Sequence, residues 1–160
     1  MLMLLFYIGQ DSYAIESSRV AEVIPRVPLR KIYYVPNYVA GVLNYRGTIT
    51  PVIDLCHLIQ GTPSSYHLST RIIMVKSSQQ DSNLQYIGLM AERIIHTLKK
   101  STADLVDSHV QMNQAPYLGG IILDQKGMIQ QIHLEQLFSD AQRFYLAPAG
   151  ERSTDELRSY

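Results

Sequence analysis

The sequence predicts an all-β protein with short helices, folded as two small β-barrels packed together. Short runs of β-branched and aromatic residues recur along the chain between Gly, Pro, Asn and Asp turn signals, the pattern of sandwiches and barrels. No helical pattern of about ten residues or more intervenes, which argues against parallel βαβ units. An internal repeat completes the case. Tyr38 to Leu43 (YVAGVL) returns about 79 residues later as Tyr117 to Ile122 (YLGGII). Gly41 matches Gly120, Gly47 falls one position out of step with Gly127, and Leu55, Leu58 and Ile59 match Leu134, Leu137 and Phe138. Upstream, Glu22 has a loose echo in Glu92. Strand, strand, hairpin and short helix thus occur twice, and two small barrels built this way bury one continuous core.

Taken in order, Leu2 to Ile8 is a strand, Gly9 to Ser12 a turn, and Tyr13 to Ile15 opens a second strand. Val20, Val23 and Ile24 follow around Glu22, with Val23 expected in the core and Val20 left at a strand end. Pro25 and Pro28 forbid a helix there. Pro28 to Asn37 is extended and basic, carrying Arg30 and Lys31. Val39 to Tyr45 and Thr48 to Ile53 form a hairpin about Arg46 and Gly47, since Gly accepts the positive φ of a tight turn. Asp54 can cap a short helix with Leu55, Leu58 and Ile59 on one face, ended by Gly61. Gly61 to Thr70 is polar and is the best internal boundary. Arg71 to Lys76 is a buried strand with charged ends, Ser77 to Asn83 a loop, and Leu84 to Ala91 another strand. Glu92 to Leu98 echoes the Glu22 region, and Lys99 to Pro116 is a long polar loop. Tyr117 to Leu123 and Met128 to Ile132 make the second hairpin, followed by an apolar face of Leu134, Leu137 and Phe138. From Ser139 to Tyr160 the periodicity is lost, so 140–160 reads as a tail, with at most a helical turn from Thr154.

Composition removes several function classes. The chain has 160 residues, 46% of them hydrophobic, enough for one packed domain. Its 14 basic and 14 acidic residues cancel, against a nucleic-acid or anionic-membrane surface. The single cysteine, Cys56, rules out an internal disulfide and fits a reducing compartment. Met1 to Ile8 is apolar but lacks a basic flank and a cleavage site, and it is too short to cross a bilayer, so it reads as a strand. Phosphate-loop, Cys-x-x-Cys and His-Glu-x-x-His motifs are absent, and the five histidines are scattered. Cys56 and His57, adjacent on a short helix, point about 100° apart, poor geometry for a nucleophile and its base. Asp54, His57 and Ser64 or Ser65 make an imaginable triad, but without a nucleophile elbow. No catalytic residue, metal ligand or cofactor is assigned.

Arg46 stands out. Hairpin turns favour Asn, Asp or Gly, so a long cation beside Gly47 is not explained by turn chemistry. It reads either as a solvated turn residue or as a surface arginine on a rigid tip for a partner to grip. The equivalent tip, Asp124 to Gly127, keeps the glycine and changes the rest, which suggests a shared fold with different tip contacts.

At these residues the chain resembles the CheW adaptor family of bacterial chemosensory systems. The match runs through Tyr13 to Ile15, then Val20, Glu22 and Val23. It continues through Pro36, Tyr38, Val39, Gly41, Val42, Asn44, Arg46, Gly47, Ile49, Pro51, Val52, Asp54 and Leu55. In the second half it takes in Arg71 to Val75, Gly88 to Glu92 and Tyr117 to Gly120, so that it covers about residues 3 to 139. Ser69 to Arg71, Gly88 to Glu92 and Ala115 to Gly119 look most like the coupling proteins of Wsp-type surface-sensing pathways.

The resemblance implies two five-stranded SH3-like β-barrels in a domain over 1–139. Subdomain one would span about 14–66, and subdomain two about 67–138 with the N-terminal strand contributing. It implies a non-enzymatic, cytoplasmic scaffold at membrane receptor arrays, without cofactor, metal or membrane insertion. The scaffold would join the cytoplasmic tip of methyl-accepting chemoreceptors to the regulatory domain of a CheA-type histidine kinase. Val20, Glu22, Gly41 and Arg46 fall on the family's receptor-coupling region, and Asn44 and Tyr45 on the same tip complete the expected receptor or kinase contact. Tyr45 departs from the family's usual Leu. Kinase contact would use apolar surfaces at the barrel ends. The alternative reading is a nucleic-acid-binding double β-barrel, which zero net charge disfavours.

Overall fold

The computed structural model describes residues 2–65, 67–80, 83–99, 105–106, 116–124 and 127–145. In chain order these form β1 (Leu2–Ile8), β2 (Asp11–Glu16), a 3-10 turn (Ser17–Arg19), β3 (Val20–Pro25), β4 (Val39–Tyr45), β5 (Thr48–Asp54) and α1 (Leu55–Gln60). The second half supplies β6 (Arg71–Lys76), β7 (Tyr86–Ala91), β8 (Arg93–Lys99), β9 (Leu105–Val106), β10 (Leu118–Asp124), β11 (Gly127–Ile132) and α2 (Leu134–Tyr145). Most of the expected 99–116 loop, and the tail from 146, lie outside the described residues.

The strands make two sheets. One runs β3-β6-β7-β5-β4; the other runs β8-β1-β2-β11-β10, with the two-residue β9 added at its edge. Both are the five-stranded barrel sheets that the repeat and the family resemblance called for. Their membership is crossed. The hairpin β6–β7 pairs into the sheet of β3, β4 and β5, and β1–β2 pairs into the sheet of β8, β10 and β11. Each repeat thus lends two strands to the other's sheet. In each sheet the exchange produces one parallel pair, β5 with β7 and β11 with β2. Parallel neighbours need a long connection between them, and the exchange supplies it. The division into 14–66 and 67–138 therefore needs correction: β6 and β7 belong with the strands before residue 66, and β2 with those after it. Periodicity marks where strands are but says nothing of which edge each one joins.

The crossing puts β1 and β6 in the middle of everything. Leu4, Phe6 and Ile8 of β1 enter the large central core, while Met3 and Leu5 enter a second core with Ala14, Ile122 and Ile129. Likewise Ile73 and Val75 of β6 face the central core, and Ile72 and Met74 face a third core with Tyr45, Val52 and Met90. A strand buried on both faces reads as a continuous apolar run, as Leu2 to Ile8 does in the sequence. Each sheet encloses its own core, and the central core lies between them.

Two expectations change locally. The pairing of β3 with β6 shifts register between Val20 and Glu22. The extra residue resets the inside–outside alternation. Val20 packs on the central core, Ala21 and Ile24 turn to the third core, and Val23 is 40% exposed. Val23 is therefore a surface residue and not a core one. The chain also does not end its structured part at 139. Helix α2 continues to Tyr145, and Ala141 is fully buried in the central core. The first turns of that helix are tied to the first half by Arg19, which ion-pairs with Glu135, donates to the Lys76 carbonyl at 3.0 Å and lies over the Phe138 ring at 5.7 Å.

Candidate functional site

Strands β3 and β4 are the two outer strands of the five-stranded sheet, so the barrel's seam lies between them. At one end of that seam the sequence-predicted residues meet. Tyr45 ends β4 and is buried, its ring packed edge-on against Tyr86 at 5.2 Å. Its hydroxyl donates a hydrogen bond of 2.7 Å to Glu22 Oε1 on β3. Burial, and then that hydrogen bond, push the Tyr45 hydroxyl above its ordinary value, so it stays a donor at neutral pH. Arg46 crosses back over the same ring at 5.0 Å and reaches Glu22 at 3.6 Å. Side chains thus close the barrel where no backbone ladder does.

The turn explains how Arg46 is held. Arg46 has φ 51 and Gly47 φ 83; two successive left-handed residues match the right-handed twist of the flanking strands. The conformation is costly for arginine, and the cation–π contact and the ion pair offset that cost. More than half of the Arg46 side chain, 59%, remains exposed. The geometry offers a guanidinium with free donors, fixed on a short rigid tip, able to take a carboxylate in a bidentate grip.

The other expected residues divide. Asn44 is exposed on β4, opposite Ile49 of β5, which is 56% exposed. Val20 is half-buried against the central core. Gly41 is buried and has φ 150; a Cβ there would lie 2.6 Å from the Arg30 carbonyl oxygen. Its lack of a side chain admits the neighbouring segment. Sequence reasoning missed Val23 and Ile49, the exposed apolar residues of β3 and β5. Their only signal was that both lie in the run of residues matched to the family.

The imagined catalytic group takes another form. Asp54 does meet Ser64, accepting from Ser64 Oγ at 2.5 Å and Ser64 N at 2.8 Å, while also capping α1 through Cys56 N at 3.1 Å. Those bonds anchor a loop to a helix start. The Cys56 thiol is buried and donates to Glu92 at 2.9 Å; burial first, and the Glu92 bond next, push its pKa up to about 12. It remains a protonated thiol, the opposite of an activated nucleophile.

A family model described as the CheW-like domain matches residues 2–142. The chain belongs to the CheW-like domain family. Among its relatives, the chemotaxis protein CheW of Helicobacter pylori is 27% identical over 100 residues, covering 62% of this chain and 58% of that protein. The chemotaxis protein CheW of Treponema pallidum is 29% identical over 150 residues, covering 89% of this chain and 84% of that protein. The crystal structure of scaffolding protein TtCheW from Thermoanaerobacter tengcongensis superposes with a TM-score of 0.71 at 24% identity, over 82% of this chain and 87% of that one, and shares the fold. The family match ends within α2, in keeping with the helix running past 139. None of these likenesses favours the nucleic-acid reading. Among the described residues no helix is long and apolar enough to cross a membrane.

Proposed function

We propose that this CheW-family chain is a non-enzymatic adaptor. It couples the cytoplasmic tip of methyl-accepting chemoreceptors to the regulatory domain of a CheA-type histidine kinase, in the cytoplasm beside membrane receptor arrays. The observation that carries the reading is the tip itself: Arg46 is exposed, conformationally fixed and supported from below by Tyr45 and Glu22. Such a group loses little entropy on docking, and an adaptor needs rigid faces more than chemistry. Two weak contacts on one small body add through effective concentration. Val20, Glu22, Asn44 and Arg46 form the receptor-coupling face in this reading, and Tyr45 is its buried support. We place the chain's output with the Wsp-like surface-sensing pathways, which a co-encoded diguanylate cyclase response regulator would support.

Arg46→Ala tests the proposal. The variant is expected to fold normally and to weaken receptor-dependent control of the kinase in a reconstituted complex by about tenfold, the scale of one interface arginine. Unchanged control at equal protein concentration would remove the tip from the interface.

A further inference from the structure

The chain is electrically neutral as a whole but not locally. From Val23 to Ile53 it carries Arg26, Arg30, Lys31 and Arg46 and no Asp or Glu at all. Three of these cations lie in the segment 26–37 between β3 and β4, away from the Arg46 tip. The same segment exposes adjacent aromatics: Tyr33 is 72% exposed and Tyr34 is 94% exposed. Tyr34 also holds φ 62, a left-handed backbone that a bulky residue adopts only at a cost. Lys31 Nζ lies 5.6 Å above the Tyr33 ring. Among the described residues no carboxylate pairs with Arg30 or Lys31.

This segment is anchored. Pro25, Pro28 and Pro36 stiffen it. Arg30 exchanges two backbone hydrogen bonds with Val42 of β4, at 2.9 and 2.8 Å, and Leu29 packs on the third core. Gly41 makes that approach possible, since a side chain there would strike the Arg30 carbonyl. Beside the anchor lies a cleft of about 630 Å³, lined in part by Val27, Leu29, Val39, His57 and Met90, of a size that accepts an apolar side chain. The cleft meets β4 at Val39 and Ala40, whereas Arg46 follows the other end of this seven-residue strand. At strand rise the two places are about 20 Å apart.

We propose that the 26–37 segment and its cleft form a second docking surface, for an acidic protein segment with an apolar residue that enters the cleft. Its carboxylates would meet Arg30 and Lys31, and Tyr33 and Tyr34 would cover the contact. Pre-anchored aromatics and cations are the residues that carry interface energy. A nucleic acid or an anionic membrane is less well matched, because the chain has no net positive charge to hold a phosphate array. The surface stands apart from the Arg46 tip, so the two can be broken separately.

The experiment uses the full chain and a fluorescein-labelled peptide alternating glutamate with leucine, read by anisotropy. The glutamine–leucine peptide, a single-stranded oligothymidine and phosphatidylserine vesicles serve as rival probes. The glutamate–leucine peptide is expected to bind best, to weaken about tenfold in the Arg30→Glu/Lys31→Glu variant, as two reversed rim charges imply, and to weaken also in Tyr33→Ser/Tyr34→Ser. It is expected to be indifferent to Arg46→Ala. All of these residues are exposed and their variants should fold, which circular dichroism checks. Equal binding of the glutamine peptide, preference for oligothymidine or vesicles, or a loss in Arg46→Ala as large as in the double reversal would each overturn the proposal.

Discussion

The hairpin of β4 and β5 closes its barrel with Tyr45 buried beneath Arg46 and Glu22. In the hairpin of β10 and β11, Leu123 faces Met128 across the ladder and both stand in solvent, 57% and 67% exposed. The two hairpins hold equivalent places in their sheets, each followed by a helix whose leucines enter the central core. One tip presents a supported charge, the other an apolar pair. Positions that face a core are constrained by packing in both copies, whereas tip side chains touch only neighbours and can diverge with their partners. An adaptor that must hold unlike partners has use for such divergence.

The largest expected break in this comparison is at the base of the hairpins. Gly41→Ala would set a Cβ 2.6 Å from the Arg30 carbonyl at a left-handed φ, whereas a Cβ at Gly119 of β10 meets the His133 ring at 2.8 Å, an exposed side chain able to turn away. Gly41→Ala should cost about 3 kcal/mol and Gly119→Ala about 1 kcal/mol in denaturant titrations. Equal losses would show that the first hairpin has no special dependence on the Arg30 segment.

Next comes the support beneath the tip. Tyr45→Phe keeps the ring under Arg46 and removes the hydroxyl from Glu22, which should lower stability by about 1 kcal/mol. Met128→Gln, on the other tip, should stay within about 0.5 kcal/mol. A neutral Tyr45→Phe would mean the seam is closed by ring packing alone.

Alkaline titration separates the two regions further. Folding raises the Cys56 pKa from 9.0 to about 12 and moves Tyr45 upward. As pH rises through this window the unfolded chain releases these protons first, so stability falls, fully present below about pH 9 and eroding toward 12. Cys56→Ala should flatten that limb of a stability–pH profile, Tyr45→Phe should flatten its upper part, and exchanging Leu123 and Met128 should leave it unaltered. The smallest effect expected is that of Leu123→Ser with Met128→Ser on stability, within about 0.5 kcal/mol, because both side chains are already in water; a loss several times larger would mean that the second tip is packed after all.

Much of this was legible in the chain. The repeat, the hairpin glycines, Asp54 as a helix cap and the strands β4 and β5 depend on neighbours a few residues apart, and each stands where the sequence placed it. Arg46 was visible because it broke a local rule. Glu22 entered the site through the family resemblance and Tyr45 as the aromatic neighbour of Arg46, and nothing local said that they touch. Val23 was misread because the shift in pairing beside Ala21 depends on β6, some fifty residues away. The end of α2 was misread because Asp140 to Tyr145 is held by burial of Ala141 against distant strands, without a strong pattern of its own.

By itself, then, the sequence determined most of the strands, the two hairpin turns, the two-fold repetition and the family, because propensity, turn chemistry and side-chain period are short-range; β3 and β8 were not read as strands, and β9 falls in the expected loop. The tertiary structure decided the exchange of β1–β2 and β6–β7 between sheets, the closure of the seam by Glu22, Tyr45 and Arg46, and the docking of the basic segment onto Gly41. Those contacts join residues far apart in the chain. Their geometry follows from how two curved sheets share one core, which no local window of sequence contains.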